Sequence, residues 1–320
     1  MESSGSSVVK EALKTLSTDV HDFCGSRVER IDASRLESTF FLRTFVLPSR
    51  PVLIENAARR EGWKTEGWAN KDGAYLSDLA GDELVTVAIT PNGLADALTV
   101  DDATGVEVFA QPHQRRQKLA DFFRDLRQTR ESGAAVVPYL SAQNSSLTKE
   151  LPALLPDVSP DVSWATSAFG APPDACNIWI GDDRSVTTFH RDHYENIFVV
   201  VNGSKTFKLL PPTDTWRLGM REAPAARYDA SLRLQREEPE RFVRWCGLDP
   251  RTLEGLGPGP PPLEVTVRAG EALYLPAMWV HGVAQKCAED GGPCVAVNFW
   301  YDMEFSHRWP FVKLVETLSS

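Results

Sequence analysis

At 320 residues with 42% hydrophobic content, the chain can bury a sizeable core as one large domain or as a domain with a substantial extension. Its net charge of −10 argues against direct nucleic-acid binding, which needs clustered Lys and Arg to displace counterions, and leans weakly toward a basic peptide partner. The opening residues 1–6 lack an apolar signal core and no stretch approaches the ~18 residues of a membrane span, so a soluble protein of the cytoplasm or also the nucleus is expected.

In chain order, an apolar periodicity through Val8, Val9, Leu13, Leu16, Val20 and Phe23 predicts an amphipathic helix, and a second is expected over about 34–45. Residues 51–56 read as a strand, and a short helix is expected near 75–79. The stretch 84–90 alternates as a strand, with Pro91-Asn92-Gly93 as its turn. A helix over 115–130 would carry Leu119, Phe122, Phe123 and Leu126 on one packing face. Residues 136–140 read as a strand whose Pro138 suits an edge or a bulge, and from 147 to 173 the prolines leave room only for short turns.

A strand over 176–180 then enters a β-rich region. The apolar run 197–201, Asn202-Gly203 and the run 204–210 carry a strong hairpin signal, because both turn residues tolerate positive φ. The segment 211–262 reads as an insertion, helical around 237–245 and ending in the loop Gly257-Pro258-Gly259-Pro260-Pro261-Pro262. Strands are predicted over 263–268, 271–276, around His281 and over 294–301, and a last helix over 306–317. Cys24, Cys176, Cys246, Cys287 and Cys294 are odd in number without a C-x-x-C pair, which fits reduced core thiols. Many short antiparallel strands with glycine-bearing turns indicate a mainly β protein with some α, built on a jelly-roll or cupin-like double-stranded β-helix. The expected organisation is an N-terminal helical and α/β extension over 1–135, a barrel over 136–305 with its insertion at 211–262, and a C-terminal helix over 306–320.

Chemistry concentrates in Thr187-Thr188-Phe189-His190-Arg191-Asp192-His193-Tyr194-Glu195-Asn196. Side chains alternate along a strand, so His190 and Asp192 are expected to project from one face and His193 from the other. Adding His281, from Met278-Trp279-Val280-His281-Gly282, makes two histidines and one carboxylate with three positions left open, a set that suits non-haem Fe(II) oxygenases. His21, His113 and His307 lie in predicted helical or loop surroundings without a carboxylate at ligand spacing and read as structural or exposed. Trp179, Trp279 and Trp300 read as core residues more readily than as pocket lining.

These segments, together with Gly203-Ser204-Lys205, Ala269-Gly270-Glu271-Ala272-Leu273-Tyr274-Leu275-Pro276, Trp279-Val280-His281 and Val297-Asn298-Phe299-Trp300-Tyr301-Asp302-Met303, resemble the JmjC-domain oxygenases, in particular the JmjC domain-containing protein 7 family of lysyl hydroxylases. The likeness extends to 85–93 and 151–157 and so covers most of the chain. It implies Fe(II) on His190, Asp192 and His281, and 2-oxoglutarate with its distal carboxylate on Lys205. Further cosubstrate contacts would fall on Tyr139, Thr187, Asn196 and Asn298.

A solvated hairpin lysine is the plain alternative for Lys205, but a buried ammonium needs a charge partner and a dianionic cosubstrate supplies one. Asn196 agrees with strand alternation, on the face of Asp192. Thr187 does not: strict alternation places Thr188 beside His190, so the match to Thr187 requires a bulge. Asn298 reads equally well as a hydrogen-bonded barrel asparagine.

The resemblance further implies consumption of O2, release of succinate and CO2, and hydroxylation at C3 of a lysine in a developmentally regulated GTP-binding protein. An N-methyl-lysine demethylase would use the same iron set. An endopeptidase activity on basic protein tails is also attributed to the family, although no protease nucleophile stands out in this sequence. A third reading is a non-catalytic cupin-like binding module with an inert triad. Monomer and homodimer both fit the apolar pattern of the last helix.

Overall fold

The computed structural model of the protein describes residues 2–69, 73–306 and 308–319. Its centre is a barrel of eight strands: β1 (Ala175–Gly181), β2 (Val186–His190), β3 (Tyr194–Asn202), β4 (Ser204–Leu210), β5 (Leu263–Arg268), β6 (Ala272–Leu275), β7 (Val280–Lys286) and β8 (Cys294–Asp302). One sheet runs β6-β3-β8-β1 and the facing sheet β5-β4-β7-β2. Consecutive strands therefore lie in opposite sheets, except β4 and β5, which pair with each other across the 211–262 segment. This winding is a double-stranded β-helix, as the strand pattern predicts.

The winding corrects one local expectation. Asn202-Gly203 makes no hairpin: β3 pairs with β6 and β8, whereas β4 pairs with β5 and β7, so the turn carries the chain from one sheet to the other. Gly203 has φ +71°, and a Cβ there would strike the Lys286 carbonyl, so the corner requires glycine.

Strand alternation then divides two cores. On β3, Phe198 and Val200 join Phe207, Leu209, Val265 and Leu273 inside the barrel. Ile197, Val199 and Val201 face outward, where Phe41, Phe45, Trp68, Trp164, Tyr274 and Phe299 cover them with residues of the N-terminal region. That region also lengthens both sheets. Val52–Glu55 pairs antiparallel with β6, and Leu94–Ala95 pairs parallel with β2, so neither strand is left as a bare edge.

Several predicted elements shift. Residues 113–118 are not helical but pair antiparallel with Leu84–Thr90, which places His113 on a strand, and the helix runs only from Leu119 to Glu131. The apolar face of that helix misleads because the charged His113–Lys118 stretch has no buried stripe to mark its alternation. The helix expected around 237–245 is absent. Phe242–Trp245 pairs instead with Arg221–Tyr228, and Pro239 disfavours helix in the preceding residue. Of the predicted helix over 34–45, Ala33–Arg35 forms a separate 3-10 turn, while Ser38–Phe41 runs on without a break into a wider helical turn, Leu42–Val46. Between the prolines of 147–173 a two-turn helix, Ser163–Phe169, finds room. No helix among the described residues is long and apolar enough to cross a membrane, and all five cysteines are free thiols.

The long first helix, Glu2–Cys24, is fastened by charge. Ser17 Oγ donates to one Asp214 oxygen, while His21 Nε2 and Arg217 Nη1 meet the other at 3.0 and 2.5 Å, all in the interior. His21 thus has a carboxylate partner that sequence spacing hides, since Asp214 enters from the segment after β4. His307 lies outside the described residues. Asp214→Ala leaves Arg217 buried without its counter-charge and should cost about 3–5 kcal/mol, measured by urea unfolding. A loss below about 1 kcal/mol, the value of an exposed pair, would show that the cluster does not hold the helix.

Candidate metal centre

β2 and β7 run antiparallel, with His190 directly opposite His281. Cross-strand neighbours of this kind place their side chains in contact, and the two imidazole centroids stand 4.2 Å apart. Each ring is locked by a carbonyl two residues upstream. His190 Nδ1 meets the Thr188 carbonyl at 2.8 Å and His281 Nδ1 the Trp279 carbonyl at 3.0 Å. With Nδ1–H donating in both rings, each Nε2 presents its lone pair.

Asp192 completes the group from a different place than strand alternation predicts. β2 ends at His190 and β3 begins at Tyr194, so Asp192 sits in the connection where the chain changes sheets. Its carbonyl accepts a hydrogen bond from Met278 N at 2.9 Å, and its Oδ2 lies 3.8 Å from His190 Nε2 and 3.7 Å from His281 Nε2. The three donor atoms lie within 4.8 Å of one another, the one such metal-ligating cluster among the described residues.

The turn before His281 is held from beneath. Met278 takes φ +69°, while buried Glu195 accepts from the Tyr274 hydroxyl at 2.7 Å and from Ala277 N at 3.0 Å. Burial pushes the Glu195 carboxyl up, against those hydrogen bonds and the Arg308 guanidinium.

The bulge demanded at Thr187 is present. Thr187 pairs with Val283 and His190 with His281, so three steps on β2 match two on β7. Thr187 accordingly lines a cavity of about 190 Å³ with Tyr139 and Trp179. Thr188 turns aside, its hydroxyl donating to the Asp96 carbonyl at 2.8 Å and accepting from Trp245 Nε1 at 3.1 Å.

Lys205 follows Phe207 and Leu209 in facing inward from β4, and it is 2% exposed. Its ammonium donates to Tyr139 Oη at 2.9 Å and to Gln285 Oε1 at 2.5 Å, and stands 5.3 and 5.7 Å from the ring centroids of Tyr139 and Phe198. Among the described residues, neither of its hydrogen-bond partners is a carboxylate. Burial pushes the Tyr139 hydroxyl pKa up although the lysine charge opposes it.

Asn196 and Asn298 join across β3 and β8. Asn298 Nδ2 donates to Asn196 Oδ1 at 3.1 Å, and Asn298 Oδ1 accepts from Trp179 Nε1 at 2.8 Å and from Asn177 Nδ2 at 3.3 Å. The Asn298 amide is thus engaged by the barrel itself. His193 is exposed, stacks on Phe305 and meets Trp309 at a tilt.

Sequence reading passes over Gln285 and Trp245. Gln285 was recoverable, because alternation along β7 puts it on the face of His281 and Val283. Trp245 was not: its ring lies parallel to His190, at 14° and 6.5 Å, only because the supposed helix is a strand. Trp179 lines the cavity, Trp279 donates to the Ser49 carbonyl at 3.0 Å, and Trp300 stacks on Tyr194 at 5.0 Å.

A family model for the cupin-like domain matches residues 37–307. The chain is 39% identical over 311 residues to lysine-specific demethylase JMJ32 of Arabidopsis thaliana, an alignment covering 92% of this chain and 87% of that protein. It is 38% identical over 289 residues to the bifunctional peptidase and (3S)-lysyl hydroxylase JMJD7 of Homo sapiens, covering 87% and 85%. The chain belongs to the cupin-like JmjC family. JmjC domain-containing protein E of Dictyostelium discoideum is 33% identical over 317 residues, covering 90% of this chain and 88% of that one.

JmjC relatives are 2-oxoglutarate oxygenases, which implies Fe(II) and 2-oxoglutarate for this chain. The donor set fits that metal: two imidazoles that present their Nε2 atoms and one carboxylate, converging within 4.8 Å. A buried ammonium without a carboxylate fits a dianionic cosubstrate.

His281 is poised to ligate. Burial first, then the facing His190, pushes its pKa from 6.5 down to about 4, against the pull of Asp192. The unfolded chain therefore takes up this proton at higher pH than the folded one, and metal-free protein loses stability as pH falls through the interval from 6.5 to about 4. His281→Gln removes that contribution. Urea unfolding of the metal-free proteins at neutral and mildly acidic pH should show a smaller loss for the variant; equal losses would contradict a depressed His281.

Proposed function

We propose that this JmjC protein is an Fe(II)- and 2-oxoglutarate-dependent protein lysyl hydroxylase. Its substrate in this reading is a lysine, oxidised at C3, in a developmentally regulated GTP-binding protein. The observation that carries the oxygenase reading is the convergence of His190 Nε2, His281 Nε2 and Asp192 Oδ2 beside a buried Lys205 that contacts no carboxylate. The 38% identity to a (3S)-lysyl hydroxylase over 87% of the chain supports lysine as the target. A non-catalytic binding module would have no use for two ring nitrogens kept bare by their backbone locks.

Bound together, Fe(II) and 2-oxoglutarate would supply oxidation by O2, with release of succinate and CO2, which side chains alone lack. His190, Asp192 and His281 would hold the metal. Lys205, steadied by Tyr139 and Gln285, would grip the distal carboxylate and so fix how the cosubstrate lies. Phe198, Phe207 and Leu209 keep the barrel interior apolar, which strengthens that charge contact by excluding water. Thr187 and Asn196 are proposed as further cosubstrate contacts, and Asn298 as the residue that orients Asn196.

A second reading follows from the 39% identity to a protein named as a lysine-specific demethylase. Incubation of a candidate GTP-binding protein with this enzyme, Fe(II), 2-oxoglutarate and O2 should add one oxygen to a lysine, seen by mass spectrometry, with matching succinate. Formaldehyde release from a methylated lysine, without an added oxygen, would establish the demethylase instead, and a shortened polypeptide would establish a peptidase.

Asp192→Ala should abolish cosubstrate turnover while leaving the circular dichroism spectrum unchanged. Lys205→Met should raise the KM for 2-oxoglutarate by roughly 30-fold, as expected for one buried charge contact worth about 2 kcal/mol. An unchanged KM would remove Lys205 from the cosubstrate site.

A further inference from the structure

Among the described residues, the cavity lined by Thr187, Tyr139 and Trp179 holds one carboxylate, that of Asp96. The residue reaches this place through the sheet. Leu94–Ala95 pairs parallel with β2, Ala95 opposite Thr187, and the next residue arrives at the bulge. The Asp96 carbonyl accepts the Thr188 hydroxyl at 2.8 Å, and the Thr188 carbonyl in turn locks His190 Nδ1 at 2.8 Å. Asp96 is thus built into the support of an iron ligand.

Its side chain is partly shielded and unused. The carboxylate is partly buried, and no hydrogen bond or ion pair from a described residue reaches it. Burial pushes its carboxyl up, with the charges of His190 and Arg227 pulling the other way. Arg227 does not close on it; that guanidinium donates to Gln111 at 3.1 Å. Asp96 takes φ +52°, a left-handed conformation that its short polar side chain tolerates. A partly buried carboxylate without a direct partner, set in a cavity wall, is a ready acceptor for a cationic ligand.

We infer that Asp96 is the residue that receives the side-chain ammonium of the substrate lysine in the cavity beside the metal centre. The inference rests on the lysyl hydroxylase reading and deepens it. Asp96 connects to His190 on the Nδ1 side, through Thr188, whereas the Nε2 atoms face Asp192. A cation held there stands back from the ligand atoms, as a lysine oxidised at C3 requires, because its ammonium lies at the far end of the side chain from the reacting carbon. Gln111, Gln114 and Gln143 on the same cavity wall are uncharged and Arg227 is cationic, its guanidinium turned to Gln111, so Asp96 alone supplies negative charge there.

The test uses n-butylammonium and 1-butanol as probes of the whole protein loaded with Co(II) and 2-oxoglutarate. Broadening of the probe methylene signals by the paramagnetic ion reports binding near the metal. Wild type should prefer butylammonium over butanol by about tenfold, the worth of one charge-assisted hydrogen bond. Asp96→Asn keeps a side chain that tolerates left-handed backbone and removes only the charge, so the preference should fall to near unity; Asp96→Glu should retain a preference.

Because the readout is a ratio within each protein, a general loss of folding does not imitate the effect. No preference in wild type, or an undiminished one in Asp96→Asn, overturns the assignment. Mass spectrometry of the protein substrate separates the two claims. A preference abolished by Asp96→Asn without oxygen on any lysine keeps the cation site and sinks the hydroxylase reading. Hydroxylation with the same KM in Asp96→Asn and wild type sinks the site and keeps the hydroxylase.

Discussion

The structure depends on two imidazoles facing each other across an antiparallel ladder, each turned by the carbonyl two residues before it. The β2–β7 register puts His190 opposite His281, and the two backbone locks aim both Nε2 atoms at Asp192. Bringing bare ring nitrogens and a carboxylate together within a partly buried site costs solvation, and the barrel meets that cost with rigid supports. Glu195 anchors the turn before His281, Met278 ties the same turn to the Asp192 carbonyl, and Thr188 holds the opposite side.

The site is assembled from nearly the whole chain. Tyr139 arrives from the strand before the barrel, Asp96 from a short strand laid against β2, and Trp245 from the segment between β4 and β5. The N-terminal region lines the cavity at Thr187 as well as covering one sheet. This explains why the two core clusters interlock on β3, with alternate residues of one strand serving the cavity and the outer packing.

How much of this was legible in the sequence follows from the range of each signal. Alternation is local, so it places Asn196, Phe198 and Val200 on one face and Lys205, Phe207 and Leu209 inward. It fails where the backbone departs from regular pleating. The bulge after Thr187 exchanges the roles of Thr187 and Thr188, and Asp192 lies past the end of its strand. Asn202-Gly203 was legible as a turn, but a turn signal does not reveal whether the next strand pairs with the last or crosses to another sheet. Asp214 and His21 meet from 193 residues apart, and no periodicity encodes such an encounter. Asp96 carries no local signature, since its meaning comes from the strand it stands beside.

The buried knot of Ser17, His21, Asp214 and Arg217 reaches further than its own corner. Directly after it the chain runs into Arg221–Tyr228, whose partner strand carries Trp245 to the face of His190. A fragment starting at residue 25 would keep His190, Asp192 and His281 yet lose the brace that precedes Arg221–Tyr228. Damage at the far amino end would thus be felt at the metal, through a lever arm rather than through any contact with it.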